Sequence, residues 1–260
     1  MIIKEIDKFT AIDFVYKYHY SNIMPRLTKK YLGFYIDEEL SAIVTLGWGT
    51  QPLQTIKKIF NNHDMVTKDY LEIGKMCILP KYNNNKNFGS RMIKELKKWL
   101  KINTSIKFLY TLADGIMGKC GYVYQASNFQ YIGNFKTSVY VDIKTREKIH
   151  PRSAKGLCIE NAQYENKEKV FWLTDNFCKY KGIDKINGLM FRYMLPLNKK
   201  AKKILESYKY DFNYPKDKDL KFWLRIEKGS FKLIDKPVFN MEISNYNYQK
   251  KQVLQTSLNL

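Results

Sequence analysis

The sequence predicts an α/β fold, a mixed β-sheet flanked by helices, and three observations carry that expectation. A strand–helix–strand unit runs from Leu71 to Asp114, a spacing that joins parallel strands through a helical crossover. A β-hairpin precedes it between Tyr31 and Leu46. The 260 residues are 45% hydrophobic, enough length and apolar content to bury a core.

The elements follow in order. Met1 to Ile6 reads as a short strand. A helix comes next, with Ile12, Phe14, Val15 and Tyr18 near helical spacing, and it runs into His19, Tyr20, Ser21 and Asn22 before Pro25. Tyr31 to Ile36 and Leu40 to Leu46 are strands joined by a turn at Asp37, Glu38 and Glu39. The loop Gly47-Trp48-Gly49-Thr50-Gln51-Pro52 interrupts the sheet, and residues 53 to 63 form a short helix with Leu53, Ile56 and Ile59. Leu71 to Leu79 is a strand stopped by Pro80. The polar loop from Lys81 to Lys86 leads into a helix from Asn87 to Lys101. Its apolar stripe is Phe88, Met92, Ile93, Leu96, Trp99 and Leu100. A buried strand, Ile106 to Leu112, ends at Ala113-Asp114. Active sites in open sheets gather at the carboxyl ends of such strands, which places Pro80 to Ser90 and Asp114 on one functional edge.

After the glycine-bearing loop from Gly115 to Gly121, Tyr122 to Phe129 begins as a helix and Tyr131 to Tyr140 returns as strand. A helix containing Trp172, a strand at Leu189 to Leu195, the run Lys199 to Lys203 and the stretch Leu220 to Ile226 follow. The tail after Val238 is polar, with the composition of a disordered segment. This reading gives a principal domain over 1–205 and a basic C-terminal extension over 206–260, partly strand.

The charge narrows the partners. There are 45 Lys and Arg against 25 Asp and Glu, a formal net charge of +20 with a pI near 9.6. Such an excess favours a polyanion through counterion release. No amphipathic or lipidated anchor marks a membrane surface, and no stretch approaches the roughly 20 apolar residues that span a bilayer. Nucleic acid is therefore the expected partner, and the expected compartment is the cytoplasm. Cys77, Cys120, Cys158 and Cys178 form no C-x-x-C pair and read as reduced thiols. The 20 tyrosines suit stacking on bases, although an AT-rich genome yields the same count.

Two runs concentrate the charge. Between Lys81 and Lys107 eight basic residues stand against Glu95 alone; between Lys179 and Lys203 eight stand against Asp184 alone. Lys94, Lys97, Lys98, Lys119, Arg152, Lys181, Arg192, Lys199 and Lys200 are the expected nucleic-acid contacts, with Tyr193 and Trp48 as stacking rings. Lys86, Asn87, Gly89, Ser90 and Arg91 sit where a helix N-terminus can cradle a phosphate-bearing cofactor, or simply cap the helix.

The order strand, helix with His19-Tyr20, hairpin, strand, Asn-rich loop, helix, strand resembles the GNAT-type acyltransferase fold with its centrally splayed sheet. Within it, Asp114 followed by Gly118-Lys119-Cys120-Gly121-Tyr122-Val123-Tyr124-Gln125-Ala126-Ser127-Asn128-Phe129 resembles the G-H-x-G-x-V-Y-Q-A-x-x-W/F segment of the Mom family of phage DNA-modification proteins. Further matches are His19-Tyr20 to H-Y, Glu72-Ile73-Gly74-Lys75 to E-L/I-G-R/K, and His150-Pro151-Arg152-Ser153 to H-P/S-R-S/T. Phe191-Arg192-Tyr193-Met194-Leu195-Pro196-Leu197 matches H/F-R-Y-x-x-P-L. The matches span residues 15 to 205. Two departures stand out: Lys119 replaces the family's usual His, and Arg91 replaces a small residue of the GNAT pyrophosphate loop.

The resemblance implies a transferase that modifies the exocyclic amino group of adenine in double-stranded DNA with a methylcarbamoyl-type group, blocking restriction. It implies Asp114 and Tyr124 at the reaction centre, with His19 and Tyr20 opposite. The donor is left open: acetyl-CoA or another small-group donor, with iron on His19 and Asp114 a further option and otherwise no metal site. Two rival readings are an acyl-CoA-dependent N-acetyltransferase acting on a protein, small amine or tRNA, and a non-catalytic DNA-binding protein on the same scaffold.

Overall fold

A computed structural model of the chain describes residues 1–21, 23–60, 65–150, 154–210, 212–243 and 245–246. The chain forms two units. The first comprises Met1–Ala113, Gly121–Asn134 and Phe191–Pro215; the second comprises Asp114–Cys120, Phe135–Met190 and Lys216–Leu260. The predicted α/β class is what the chain adopts, with a mixed and mainly antiparallel sheet.

In the first unit β1 (Ile2–Glu5), β2 (Thr28–Ile36), β3 (Glu39–Gly47), β4 (Tyr70–Ile78) and β5 (Phe108–Asp114) are hydrogen-bonded in that order. The β2–β3 hairpin turns on Asp37 and Glu38, both at positive φ (46° and 65°), with Ile36 paired to Glu39. That two-residue loop matches the right-handed strand twist. α1 (Lys8–Tyr18) starts where the Asp7 carboxylate accepts the amides of Phe9 and Thr10 at 2.8 and 2.9 Å. It buries Ala11, Phe14 and Val15 against Ile43 and Cys77. α2 (Pro52–Ile59) has its proline at the first helical turn, where the missing N–H costs nothing.

The parallel unit lies where the sequence places it. β4 and β5 pair in parallel from Tyr70–Phe108 to Ile73–Thr111, and α3 (Phe88–Asn103) connects them. α3 buries Phe88, Met92, Ile93, Leu96 and Leu100, while Trp99 stays at the edge beneath Lys30, 5.4 Å from its ring centre. The helix expected over Tyr122 to Phe129 is shorter: α4 covers Tyr122–Gln125, and Asn128 leaves it at φ 60°.

Two long strands, β6 (Gln130–Asp142) and β8 (Ile183–Pro196), contribute to both units. In the second unit they are joined by β7 (Lys148–Ile149), α5 (Lys155–Tyr164), α6 (Asp175–Lys181), β9 (Phe222–Glu227) and β10 (Ser230–Ile234). The helix expected around Trp172 is not formed. Trp172 lies in the bend between α5 and α6, held by a hydrogen bond from Asn161 Nδ2 to its carbonyl (3.0 Å), and Thr174 caps α6. α7 (Lys199–Ser207), capped by Asn198, belongs to the first unit. The predicted extension over 206–260 is thus divided at Pro215, and most of the polar tail, 247–260, lies outside the described residues. Among the described residues no helix is long and apolar enough to cross a membrane. The four cysteines are thiols, none of them joined in a disulfide.

Candidate active site

In the first unit a carboxylate and several tyrosines gather at the start of the parallel strands. Glu72 on β4 lies level with Tyr110 on β5. Its carboxylate rests against the backbone of Gly49: a methyl group built there would stand 2.1 Å from Glu72 Oε2, and Gly49 has φ 73°. Only glycine passes at that point. Tyr70 donates to the Trp48 carbonyl at 2.8 Å. Burial raises the Tyr70 and Tyr110 hydroxyls well above the ordinary phenol value, and the Glu72 charge adds to both. Tyr124, on α4, is raised in the same way by burial and by Glu72, while the Thr111 hydroxyl acts in the opposite direction. These phenols keep their protons across the physiological range.

The tyrosine of the V-Y-Q-A segment meets the tyrosine of the R-Y-x-x-P-L element here. Tyr124 and Tyr193 have ring centres 5.7 Å apart, and Tyr131 packs 5.5 Å from Tyr193. Gln125 Nε2 donates to the Tyr193 hydroxyl (3.0 Å) and to the Pro215 carbonyl (2.9 Å). Gly121 (φ 85°) lets Tyr193 approach, since a methyl group there would meet its ring at 2.6 Å. Tyr193, expected to present a stacking face to nucleic acid, is wholly enclosed and stacks on protein rings.

The expected cofactor residues divide. A cavity of about 440 Å³ opens beside α3, lined by Asn87, Ser90, Arg91, Lys94 and Lys97 and, across from them, by Ser127 and Asn128. Lys86 and Gly89 are not in its wall. Gly89 has another use: a methyl group there would lie 2.7 Å from Val123 Cγ2, so glycine lets α3 and α4 approach. Burial, and then Lys101, hold the Lys97 ammonium below its ordinary pKa. With three cationic side chains and no carboxylate among its described lining, the cavity suits a phosphate-bearing group. Lys98 turns instead to Glu95 at 2.8 Å.

His19 and Tyr20 stack on one another, ring centres 4.3 Å apart. The Ser21 amide donates to His19 Nδ1 at 2.9 Å, and the buried Lys75 ammonium donates to the Ser21 carbonyl at 2.7 Å. The H-Y and E-I-G-K matches are therefore neighbours in space. Trp48 is half-buried beneath Lys29, whose ammonium is 4.3 Å from a ring centre. Lys199 and Lys200 are exposed at the start of α7. Arg192 donates to the Asn134 carbonyl at 3.0 Å.

Asp114 opens the second unit. Its Oδ1 accepts the Ile116 amide at 3.1 Å and its Oδ2 lies 3.7 Å from Lys148 Nζ. Lys148 is 7% exposed; burial lowers its pKa and the Asp114 charge opposes that shift. Lys119 is exposed, and Lys181 pairs with Glu160 at 2.5 Å. The second basic run is thus split: Lys179, Lys181 and Lys185 belong to one unit, Arg192 and Lys199 to Lys203 to the other. Arg152 lies outside the described residues. Among the described residues no three His, Cys, Asp or Glu side chains gather as a metal site, His19 and Asp114 included.

Glu72, Lys75, Tyr110 and Gln125 are participants that the sequence did not single out for function. Glu72, Lys75 and Gln125 stand inside the quoted motif strings, which was the available signal. Tyr110 carried none, because a tyrosine in a buried strand reads as core.

Comparison with known proteins agrees with these motifs. The model of the Mom protein family matches residues 1–216. The chain is 25% identical over 206 residues to methylcarbamoylase mom of Escherichia phage Mu, covering 76% of each protein. Among solved structures it is similar to the acetyltransferase of GNAT family from Streptococcus pneumoniae. That likeness has a TM-score of 0.35 at 13% identity and covers 52% of this chain and 87% of that one. It is also similar to an N-acetyltransferase from Staphylococcus aureus Mu50, with a TM-score of 0.40 at 11% identity, covering 76% and 98%. Likenesses this distant carry no chemistry. With four-fifths of its length matched by one family model, and motifs that pack together in space, the chain belongs to the Mom protein family.

Proposed function

We propose that this protein transfers a methylcarbamoyl-type group to the exocyclic amino group of adenine in double-stranded DNA. The product protects phage or prophage DNA from restriction in the cytoplasm of the host bacterium. Family membership and the name of the phage Mu relative support the group transferred. The formal charge of +20 supports DNA as the acceptor. The single observation that carries the chemistry is the buried Tyr124 phenol, packed 5.7 Å from Tyr193 in the unit that also holds the Glu72 carboxylate level with Tyr110.

The donor supplies an electrophilic carbonyl carbon. The adenine nitrogen forms a bond to that carbon, and Glu72 takes the proton the amine loses. The bond from the carbon to the leaving atom breaks, and Tyr124 gives that atom a proton. Glu72 then returns its proton to Tyr124, which closes the cycle. Arg91, Lys94 and Lys97 hold the phosphorylated end of the donor, with Asn87, Ser90, Ser127 and Asn128 as neutral partners. A methylcarbamoyl-type product needs a donor that carries the whole group, nitrogen included; acetyl-CoA held by the same residues would give an N-acetyl adenine instead. An adenine amino group inside a base pair is out of reach of these residues, so the base must leave the stack. The Trp48 loop, which borders Glu72 through Gly49, is the proposed support for the extruded ring.

The test is to express the protein in a bacterium, digest the genomic DNA and resolve its nucleosides by mass spectrometry. A new adenine species is expected. Tyr124→Phe and Glu72→Gln should reduce it by roughly 100-fold or more, the scale of lost acid–base catalysis, without lowering the melting temperature enough to explain the loss. Asp114→Ala tests the role that the motif resemblance implies for Asp114; an undiminished product would remove that residue from the chemistry. An unmodified nucleoside profile, in cells where the protein accumulates folded, would sink the proposal. Tight acetyl-CoA binding by calorimetry in that case would favour acetylation of another amine.

A further inference from the structure

We propose that a second hollow in the first unit is a binding site for a nucleoside phosphate, separate from the cavity beside α3. The hollow holds about 400 Å³ and is walled by Tyr131, Tyr210 and Phe212, with Arg192, Lys58 and Gly133 completing it. That volume lies within the range of small-ligand pockets, roughly 300–1,000 Å³.

The lining has two chemistries. Three aromatic rings stand together: Phe212 is 5.8 Å from Tyr131 and 6.2 Å from Tyr210, centre to centre. Rings in such a group offer faces on which any base can stack. Two of them are held by hydrogen bonds. Tyr210 donates to the Ile59 carbonyl at 3.0 Å, and the Tyr131 hydroxyl accepts from Asn134 Nδ2 at 2.9 Å. Phe212 is half exposed and forms the rim.

The second chemistry is positive charge. Arg192 lines the hollow, and its bond to the Asn134 carbonyl at 3.0 Å fixes the plane of the guanidinium. Lys58, exposed in the last turn of α2, adds a mobile ammonium. No carboxylate is among the described lining residues. Gly133, at φ 93°, also lines the hollow, in a conformation that favours glycine. A methyl group there would stand 3.7 Å from the Phe212 ring and 3.9 Å from the Arg192 guanidinium, in the space between them. Stacking faces beside an oriented guanidinium match a base with its phosphate, and match neither an apolar ligand nor a bare anion as well.

The hollow also lies close to the α3 cavity along the chain. Asn128 lines one and Tyr131 the other, so the chain between them spans at most roughly 11 Å. The ligand chemistry has two sources, a nucleotide within a DNA strand or a free mononucleotide. This inference does not depend on which base is modified or with what group.

The experiment uses the full chain and two probes, a fluorescent single-stranded oligodeoxynucleotide followed by anisotropy and dAMP followed by calorimetry. Phe212→Ala should weaken the probe that uses the hollow by roughly tenfold, the loss of one stacked base. Lys58→Gln, an exposed change that leaves folding intact, should lower the salt slope of oligonucleotide binding by about one. Weakening of the oligonucleotide, with or without dAMP, assigns the site to DNA; weakening of dAMP alone assigns it to a free nucleotide. If both variants bind both probes as the parent does, there is no such site. Nucleoside mass spectrometry on the same variants keeps this outcome distinct from failure of the transferase reading.

Discussion

Gly89 shows how one residue can serve a purpose other than the one its neighbours advertise. It sits in the first turn of α3, within a stretch that reads in sequence as a phosphate cradle, yet the space its missing side chain leaves is taken by Val123. Gly89→Ala should therefore cost stability, about 1–3 kcal/mol by overpacking, read as a fall in the urea midpoint. Val123→Ala on the same chain should restore most of it. If the cost persists in the double variant, the contact is not its cause. Asp142 in the second unit makes a different single-residue case. Burial works against its charge, but the amides of Lys144 and Thr145 (3.0 and 2.8 Å), the Thr145 hydroxyl and the Tyr246 hydroxyl prevail and lower its pKa. A carboxylate whose folded pKa is depressed stabilises the fold fully above its ordinary value of 3.8 and loses that contribution as pH falls through the lower folded value. Asp142→Asn should cost about 1–3 kcal/mol at neutral pH. In melts taken at successively lower pH the gap to the parent should close below that window; a pH-independent gap would rule this out.

At the scale of the element, the β2–β3 hairpin and α4 depart from ideal sequence chemistry in instructive ways. The hairpin places Asp37 and Glu38 in the left-handed region, where glycine and asparagine are usual. Its position was legible because acidic residues interrupt alternating apolar strands; its strain was not. Glu38→Gly should stabilise the protein by roughly 0.5–1 kcal/mol, measured as a higher denaturation midpoint, and an unchanged or lower midpoint would remove the strain argument. α4 is one turn long because its residues are held by separate tertiary contacts. Val123 meets α3, Tyr124 enters the core, and Gln125 bonds Tyr193 and Pro215. The sequence reading begins a helix over Tyr122 to Phe129, because the tertiary bonds that hold a single turn leave no local signal.

For the whole molecule, the charge of +20 is the dominant long-range property. It predicts DNA affinity that falls linearly with salt on a log–log plot. Lys199→Gln with Lys200→Gln, both exposed on α7, should flatten that slope by about two without changing the melting temperature. A slope that stays the same would remove α7 from the DNA surface. The acid-poor run from Lys179 to Lys203, continuous in sequence, is divided between two units, so it is not one patch by virtue of its continuity.

Local pattern alone determined the elements: the parallel β4–α3–β5 unit, the hairpin and the α/β class follow from spacings that any chain with this sequence must satisfy. Composition alone determined that the partner should be anionic. Only the tertiary structure decided which side chains share a site. It enclosed Tyr193, set Glu72 level with Tyr110, and drew Lys94 and Lys97 to the cavity of Ser90 and Arg91. The reason is physical. Helix and strand periods depend on neighbours within a few positions, whereas the environment of a carboxylate or phenol depends on strands brought together from distant parts of the chain.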